Sequence, residues 1–138
     1  MATPILIKPI GTVRSALRDP SEAPNQAFEG APEAILEISP DLAPAIHRIE
    51  PGAELIVVTW LHKADRTVLQ THPQDDESIP LTGVFATRSP DRPNPIGLHR
   101  VTVTDIRPPA SICVDALEAI DGTPILDLKV VMTRAPDA

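Results

Sequence analysis

The residues of this chain best suited to chemistry lie between Gly83 and Leu98, where prolines alternate with charged and polar side chains. Pro90, Pro93 and Pro95 fall within six residues; each fixes φ, removes a donor and holds its predecessor extended. Because a stiff loop loses little conformational freedom on binding, we interpret this stretch as the wall of a binding site. A proline-rich surface turn would need far less constraint. The loop carries these polar side chains: Arg88, Ser89, Asp91, Arg92 and Asn94.

Other kinds of catalytic site receive little support. Histidine occurs four times but without metal-ligand spacing, at His47, His62, His72 and His99, so we predict no metal site. The sequence has no Gly-x-Gly-x-x-Gly loop, phosphate loop or Gly-x-Ser-x-Gly elbow. Cys113 lies within a predicted strand, with no local cue to reactivity. Metal-assisted hydrolysis and covalent catalysis are therefore not predicted.

Composition predicts one small domain spanning residues 1–138. Hydrophobic residues make up 42% but aromatic residues only 2%, so the core must consist of Ile, Val, Leu and Ala. The single cysteine excludes an internal disulfide and is typical of the reducing cytoplasm. We find no signal peptide, and no run approaches the roughly 20 apolar residues of a membrane span.

The net charge of −7 argues against the broad basic surface of most nucleic-acid-binding proteins. RNA could be bound only through a local basic patch. Four arginines are candidates for it: Arg66, Arg88, Arg92 and Arg100.

Short apolar runs separated by turn residues predict a small β-sandwich or β-barrel. Ser39 and Pro40 have the residue types of an N-cap and a first helical position, and predict a short helix that ends near His47. The long segment from Arg14 to Pro32 is predicted to be a loop. Strands are predicted at 4–13, 34–38, 54–61, 67–70, 81–87, 97–106, 111–117 and 125–132.

Four segments together resemble one known family. They are Pro9–Ser15, Ile56–His62, Thr87–Gly97 with its Thr-Arg-Ser and Arg-Pro-Asn-Pro-Ile-Gly words, and Asp121–Lys129 with its Asp-Gly-Thr-Pro turn. The chain is similar in these segments to the TrmO/TsaA-like (YaeB-like) S-adenosylmethionine-dependent tRNA methyltransferases. The resemblance implies a mainly-β, mostly antiparallel barrel with one short helix. It also implies methylation at N6 of threonylcarbamoyladenosine, at position 37 of a tRNA anticodon loop, by a homodimer.

The resemblance also implies roles for particular residues. Cofactor contact is implied for Asn25, Gln26, His62, Lys63, Arg92, Leu98, Val101, Asp121, Gly122, Thr123 and Pro124. Arg92 would pair with the methionine carboxylate, whereas Leu98 and Val101 would contribute backbone contacts. Arg88, Asn94 and Arg100 would bind substrate, and His62 is the candidate general base because neutral imidazole accepts protons near pH 7.

Two departures from the family pattern keep other functions open. Lys129 is followed by Val130-Val131 where relatives often have Pro-Tyr, and Trp60 stands alone in a strand that is richer in aromatics in relatives. Larger members also carry a C-terminal extension beyond the last predicted strand. One alternative is an S-adenosylmethionine-binding protein without tRNA activity, and another is a methyltransferase acting on a small molecule or another RNA.

Overall fold

The computed structural model describes residues 3–18 and 31–132. The strands in this part are β1 Gly11–Ser15, β2 Ala34–Ile38, β3 Glu54–Trp60, β4 Gln70–Thr71, β5 Thr82–Gly83, β6 Ile96–Arg107, β7 Ser111–Val114 and β8 Pro124–Val130. Short 3₁₀ helices are η1 Pro40–Ile46, η2 Pro73–Asp75 and η3 Val84–Ala86.

Six strands pair in a closed ring in the order β1-β2-β7-β6-β3-β8, and every pairing is antiparallel. The predicted mainly-β, mostly antiparallel class is therefore confirmed. β4 and β5 form a separate two-stranded sheet within the long connection from β3 to β6.

The core fills the inside of this ring because alternate residues of each strand point inward. Val101 and Val103 of β6 are buried, as are Leu55, Val57 and Thr59 of the neighbouring β3. Within the described ranges, every buried hydrophobic residue is Val, Leu, Ile or Ala, as the composition predicts. The two strands β3 and β8 shift register between Val58 and Thr59, which marks an irregularity where the ladder approaches the ends of both strands.

The first strand is displaced from its predicted position. β1 begins at Gly11, and residues 3–10 form no strand, leaving Ile5 and Leu6 86% and 94% exposed. Pro9 lacks the N–H needed for a ladder, and both neighbours of β1 pair with it only from Gly11 onward. The prediction of a strand from residue 4 was therefore wrong.

The predicted helix is present but tighter than an α-helix. η1 contains Pro44, which cannot donate, and the turn is closed by backbone bonds such as Leu42 N–H to the Ser39 carbonyl at 2.8 Å. The Ser39 side chain makes no capping hydrogen bond, so that part of the prediction was wrong. The predicted strand at residues 81–87 is also mostly not a strand, because η3 begins directly after Gly83.

Candidate functional site

The antiparallel ring gathers the predicted site segments at one end. Because successive strands of the ring alternate in direction along the chain, the connections 61–95 and 115–123 and the described ends of the connection 16–33 fall at the same end, which we call the loop end. The connections 39–53 and 108–110 lie at the opposite end. Backbone bonds join the loop-end segments directly, including Asp121 N–H to the Leu17 carbonyl at 2.6 Å and Leu117 N–H to the Pro32 carbonyl at 3.0 Å.

The proline-rich loop lies against the segment that follows β3. Leu61 N–H donates to the Pro95 carbonyl at 2.8 Å, and Asp65 N–H donates to Asp91 Oδ1 at 2.8 Å. Arg66 adds a bond from Nε to the Pro93 carbonyl at 2.7 Å. These contacts join the two segments into one unit, in agreement with the stiffness expected from the prolines.

Arg92 holds this loop from within. Its Nε donates to the Ser89 carbonyl at 2.7 Å, and its Nη2 donates to the carbonyls of Val84 and Thr87 at 2.7 and 2.6 Å. The side chain is partly buried. Three of the five N–H donors of the guanidinium are thus directed at backbone carbonyls, and the described bonds leave only Nη1 for a ligand.

Arg88 is placed differently from Arg92. Its side chain is exposed, and no described residue forms a hydrogen bond or an ion pair with it. Asn94 is also exposed, and its Oδ1 accepts from Arg66 Nη2 at 3.0 Å. The structure therefore places two of the three predicted substrate-binding residues at the loop end, with Arg88 as the motif arginine whose donors bind no described residue.

Positive charge in the 61–95 connection is not neutralised by ion pairs with described residues. Five cations elsewhere in the described chain pair with carboxylates, among them Arg14 with Glu37, Arg18 with Asp121 and Arg107 with Asp105. By contrast, the connection 61–95 has four cations without a carboxylate partner among described residues: Lys63, Arg66, Arg88 and Arg92. The same connection also carries five carboxylates, so anions there would be bound by individual arginine contacts rather than by an overall positive field.

His62 and Lys63 lie side by side directly after β3 and are both exposed. Desolvation, and then the charge of Lys63, lower the pKa of His62 below its ordinary 6.5. The imidazole is therefore predominantly neutral at pH 7 and able to accept a proton. This is the protonation state that a general base requires.

The Asp-Gly-Thr-Pro turn leads into β8 at the loop end. Asp121 Oδ1 accepts from Ser15 N–H at 3.0 Å and its Oδ2 from Arg18 Nη1 at 3.1 Å. Gly122 has φ +85° and open space around its Cα, which suits close approach by a ligand. Thr123 is buried and donates from Oγ1 to the Ile120 carbonyl at 2.7 Å, so its hydroxyl supports the turn. Pro124 is partly buried and pairs with β1.

Three predicted residues lie along β6 rather than in a loop. Leu98 points outward and is 49% exposed, whereas the Val101 side chain is buried in the core. β7 pairs with β6 only from Val103 onward, so the edge of β6 that carries Leu98 and Val101 has backbone groups without a strand partner on that side in the described chain. Arg100 lies further from the loop end, where its Nε binds Glu54 at 3.0 Å.

The sequence reasoning assigned no role to His99, which lies inside the ring below the loop end. Its Nε2 is 2.7 Å from Oγ1 of the buried Thr59, and burial lowers the pKa of His99 to about 4. Gly97 makes room for this pair, since a Cβ there would lie 2.5 Å from Thr59 Oγ1 and 2.7 Å from His99 Nε2. Strand alternation could have revealed it, because residues 97, 99, 101 and 103 share the inward face.

Three further predictions concern the cofactor contacts of Asn25 and Gln26, metal binding and membrane spans. Asn25 and Gln26 lie outside the described residues. The described part of the chain holds no group of three or more potential metal ligands, and none of its helices is long and apolar enough to cross a membrane. Two open clefts occur at the opposite end, one around Ile46 and Ile106 and one around Ser39 and Pro109, away from the predicted site residues.

Comparison with known proteins gives a consistent result. Residues 12–136 match the family described as the tRNA-methyltransferase O N-terminal domain. A probable S-adenosyl-L-methionine-binding protein of Methanothermobacter thermautotrophicus is 37% identical over 125 residues, covering 91% of this chain and 88% of that protein. An S-adenosyl-L-methionine-binding protein of Archaeoglobus fulgidus is 36% identical over 125 residues, with the same coverage of 91% and 88%.

A solved structure agrees with these sequence relatives. A crystal structure of TrmO from Pseudomonas aeruginosa superposes with a TM-score of 0.77 at 27% identity, covering 100% of this chain but 59% of the other. The chain thus spans about three fifths of the length of that solved protein. With the family match extending over residues 12–136, the chain belongs to the tRNA-methyltransferase O N-terminal domain family.

Proposed function

We propose that this protein binds S-adenosylmethionine at the loop end and transfers its methyl group to tRNA, at N6 of threonylcarbamoyladenosine 37. The observation that carries the proposal is the convergence of three family segments at one end of the ring: the 88–97 loop, His62–Lys63 and the Asp121–Pro124 turn. The names of the relatives support the choice of cofactor, and the family description supports the choice of tRNA.

The groups at the loop end fit the chemistry of this cofactor. Arg88 and Lys63 offer cationic donors to a carboxylate, since neither has a carboxylate partner among described residues. The β6 edge near Leu98 and the exposed Gly122 allow close backbone approach, and each oxygen of Asp121 keeps a lone pair for a hydroxyl or amino donor. Asn25 and Gln26 would complete the cofactor contacts from the 16–33 connection. Arg92 would contribute through Nη1, and by holding the loop.

Bound S-adenosylmethionine supplies a methyl group already activated by its positively charged sulfur, so the protein need not supply a covalent nucleophile. Its own residues position the acceptor nitrogen and exclude water. Neutral His62 would accept the proton that this nitrogen loses when the methyl group passes from sulfur to nitrogen. Arg88, Asn94 and Arg100 would orient the RNA.

The direct test combines binding and product analysis. S-adenosylmethionine binding is measured by calorimetry, and tRNA carrying threonylcarbamoyladenosine is incubated with protein and cofactor, digested and analysed by nucleoside mass. We expect micromolar binding and a methylated form of the modified nucleoside. Cofactor binding with unchanged nucleoside would reject the tRNA acceptor, whereas absence of both would reject the proposal as a whole.

The second candidate is a cofactor-binding protein without tRNA activity. It is favoured by the names of both archaeal relatives, which mention cofactor binding alone, and by the five carboxylates that accompany four cations in the 61–95 connection. It predicts cofactor binding with no tRNA retention even at low salt. A methyltransferase for a small molecule or another RNA would likewise bind cofactor but leave this nucleoside unchanged.

We also propose that the protein is a cytoplasmic homodimer. Two cross-strand pairs, Val58–Leu98 and Trp60–Ile96, place apolar side chains on the outer face of β3 and β6, where Ile96 and Leu98 are 41% and 49% exposed. Such a face is suited to contact with a second copy. The molar mass in solution at micromolar concentration tests this, and a monomeric mass would refute it.

A further inference from the structure

Arg66 makes three contacts that connect the end of β3 with the proline-rich loop. Its Nε donates to the Pro93 carbonyl at 2.7 Å, and its Nη2 donates to Asn94 Oδ1 at 3.0 Å. Its guanidinium carbon lies 5.1 Å from the ring centroid of Trp60, the only tryptophan in the chain, within the range of a cation–π contact. We call these three contacts the Arg66 clamp.

The clamp fixes which way the Asn94 amide faces. A guanidinium has donors and no acceptor, so the group of Asn94 that meets it must be the carbonyl oxygen. The amide NH₂ therefore points away from Arg66, and no described residue accepts a hydrogen bond from it. Asn94 is exposed, so this NH₂ is available to a ligand as a donor only.

The partners of Arg66 indicate a role beyond surface charge. Asp65, the adjacent carboxylate, accepts from Thr67 N–H and Oγ1 through Oδ1, and Asp91 Oδ1 accepts from the Asp65 backbone. Arg66 pairs with neither carboxylate and instead donates to two acceptors of the proline-rich loop. The Arg66 guanidinium therefore orients the Asn94 side chain, and neither carboxylate neutralises its positive charge.

We propose that Arg66 is a positioning residue that presents the Asn94 NH₂ to an acceptor oxygen of the ligand. This inference rests on the proposed function, within which a carboxylate or carbonyl oxygen occurs in two places: the methionine part of the cofactor and the threonylcarbamoyl group of the RNA. Asn94 thereby selects for ligands that carry an acceptor at this position.

Two variants separate the donor from the clamp. Asn94→Asp keeps oxygens for Arg66 but removes the NH₂, whereas Arg66→Met keeps the aliphatic length but removes the donors and the charge. Arg107→Met is the matched control, because Arg107 is an exposed arginine at the opposite end that pairs with Asp105. Trp60 emission and its quenching by acrylamide report on the clamp in the free protein. Cofactor calorimetry, and binding of an anticodon stem-loop with or without the threonylcarbamoyl group, identify the acceptor.

We expect Asn94→Asp to leave Trp60 quenching unchanged. It should lower the affinity for one of the two probes, the cofactor or the stem-loop, about tenfold, which corresponds to the loss of one hydrogen bond to a charged group. Weaker cofactor binding would identify the methionine carboxylate. Lost preference for the modified stem-loop would identify the threonylcarbamoyl group. Arg66→Met should increase Trp60 quenching and lower the affinity for the same probe. Arg107→Met should change neither the quenching nor the affinity.

Unchanged affinity for both probes in Asn94→Asp would overturn the role of the donor. Unchanged Trp60 quenching in Arg66→Met would overturn the clamp. If the wild-type protein binds neither probe, the proposed function fails and the ligand half of the inference fails with it. Trp60 quenching still decides the clamp in that case, so the two failures are distinguishable.

Discussion

The two ends of the ring are built from different chemistry. The opposite end is covered by aliphatic side chains from the 39–53 connection, with Leu42, Ile46 and Ile49 packed against the core. At the loop end, Leu117 and Ala119 also pack into the core, but the 61–95 connection is held by arginines, since Arg92 and Arg66 donate to backbone carbonyls of that connection. Aliphatic packing covers the opposite end, whereas a polar network orders the 61–95 connection at the loop end and leaves charged groups accessible.

This difference shows how a small domain can separate stability from binding. Buried apolar area stabilises a fold without recognising anything, whereas a polar loop must be ordered by hydrogen bonds that would otherwise be made to water. The Thr59–His99 pair lies between the two ends of the ring, in its interior and below the loop end. Substitutions in each region should therefore have different consequences.

The largest effect is expected from Gly97→Ala. The added Cβ would lie 2.5 Å from Thr59 Oγ1 and 2.7 Å from His99 Nε2, so two interior side chains must move, at a cost of about 3 kcal/mol. Urea denaturation measures the change. Gly83→Ala is the control, because nothing lies within 4 Å of a Cβ at Gly83, and its stability should change by less than about 0.5 kcal/mol. Equal effects would show that the interior below the loop end tolerates added volume.

The second effect concerns the pH dependence of stability. Burial lowers the pKa of His99 from 6.5 to about 4, so the unfolded state takes up the proton first as pH falls. The stability from neutral His99 is fully present above pH 6.5 and is lost between pH 6.5 and about 4, amounting to about 3 kcal/mol. Denaturation at pH 7 and pH 4 should show this loss in the wild type and not in His99→Gln. Equal losses would exclude His99 as its source.

A paired substitution compares the two ends directly. Ile46→Ala at the opposite end should lower the free energy of unfolding by about 1.5 kcal/mol, because it removes a partly buried side chain from the core, and should leave cofactor affinity unchanged. Arg92→Met at the loop end should lower the free energy of unfolding by about 1 kcal/mol, because three carbonyls lose their donor. It should also lower the affinity for the cofactor about tenfold. Calorimetry of cofactor binding to both variants tests this difference. Weakened binding in Ile46→Ala would contradict the separation of roles.

The smallest effect is electrostatic. Lys63 contributes to the lowered pKa of His62, so Lys63→Met should raise that pKa toward its ordinary value without reaching it, since desolvation, the larger cause, remains. Proton NMR titration of the His62 ring in the free protein measures the shift. Lys8→Met serves as the control and should leave the titration unchanged. A titration that does not respond to Lys63 would mean that burial alone holds His62 neutral.

Strands with strong residue patterns were predicted well, and irregular segments were not. Ala34–Ile38 was predicted with its bounds because alternation and β-branched residues agree there. The strand from residue 4 failed because strand propensity does not show whether a partner strand is within reach. The roles predicted for Arg92 and Asp121 remain predictions. The structure adds that both side chains already make internal hydrogen bonds, which pattern alone cannot reveal.

The sequence by itself determined the class of fold, the aliphatic core, the stiffness of the proline-rich loop and the family to which its motifs point, because these depend on residue type and local spacing. Only the tertiary structure decided which side chains of that loop hold it and which remain free. Arg88 and Arg92 are four residues apart and chemically identical, yet one is exposed and the other binds three carbonyls. The path of the segment from Val84 to Ser89 sets that difference, because it brings these three carbonyls around the Arg92 guanidinium and not around Arg88.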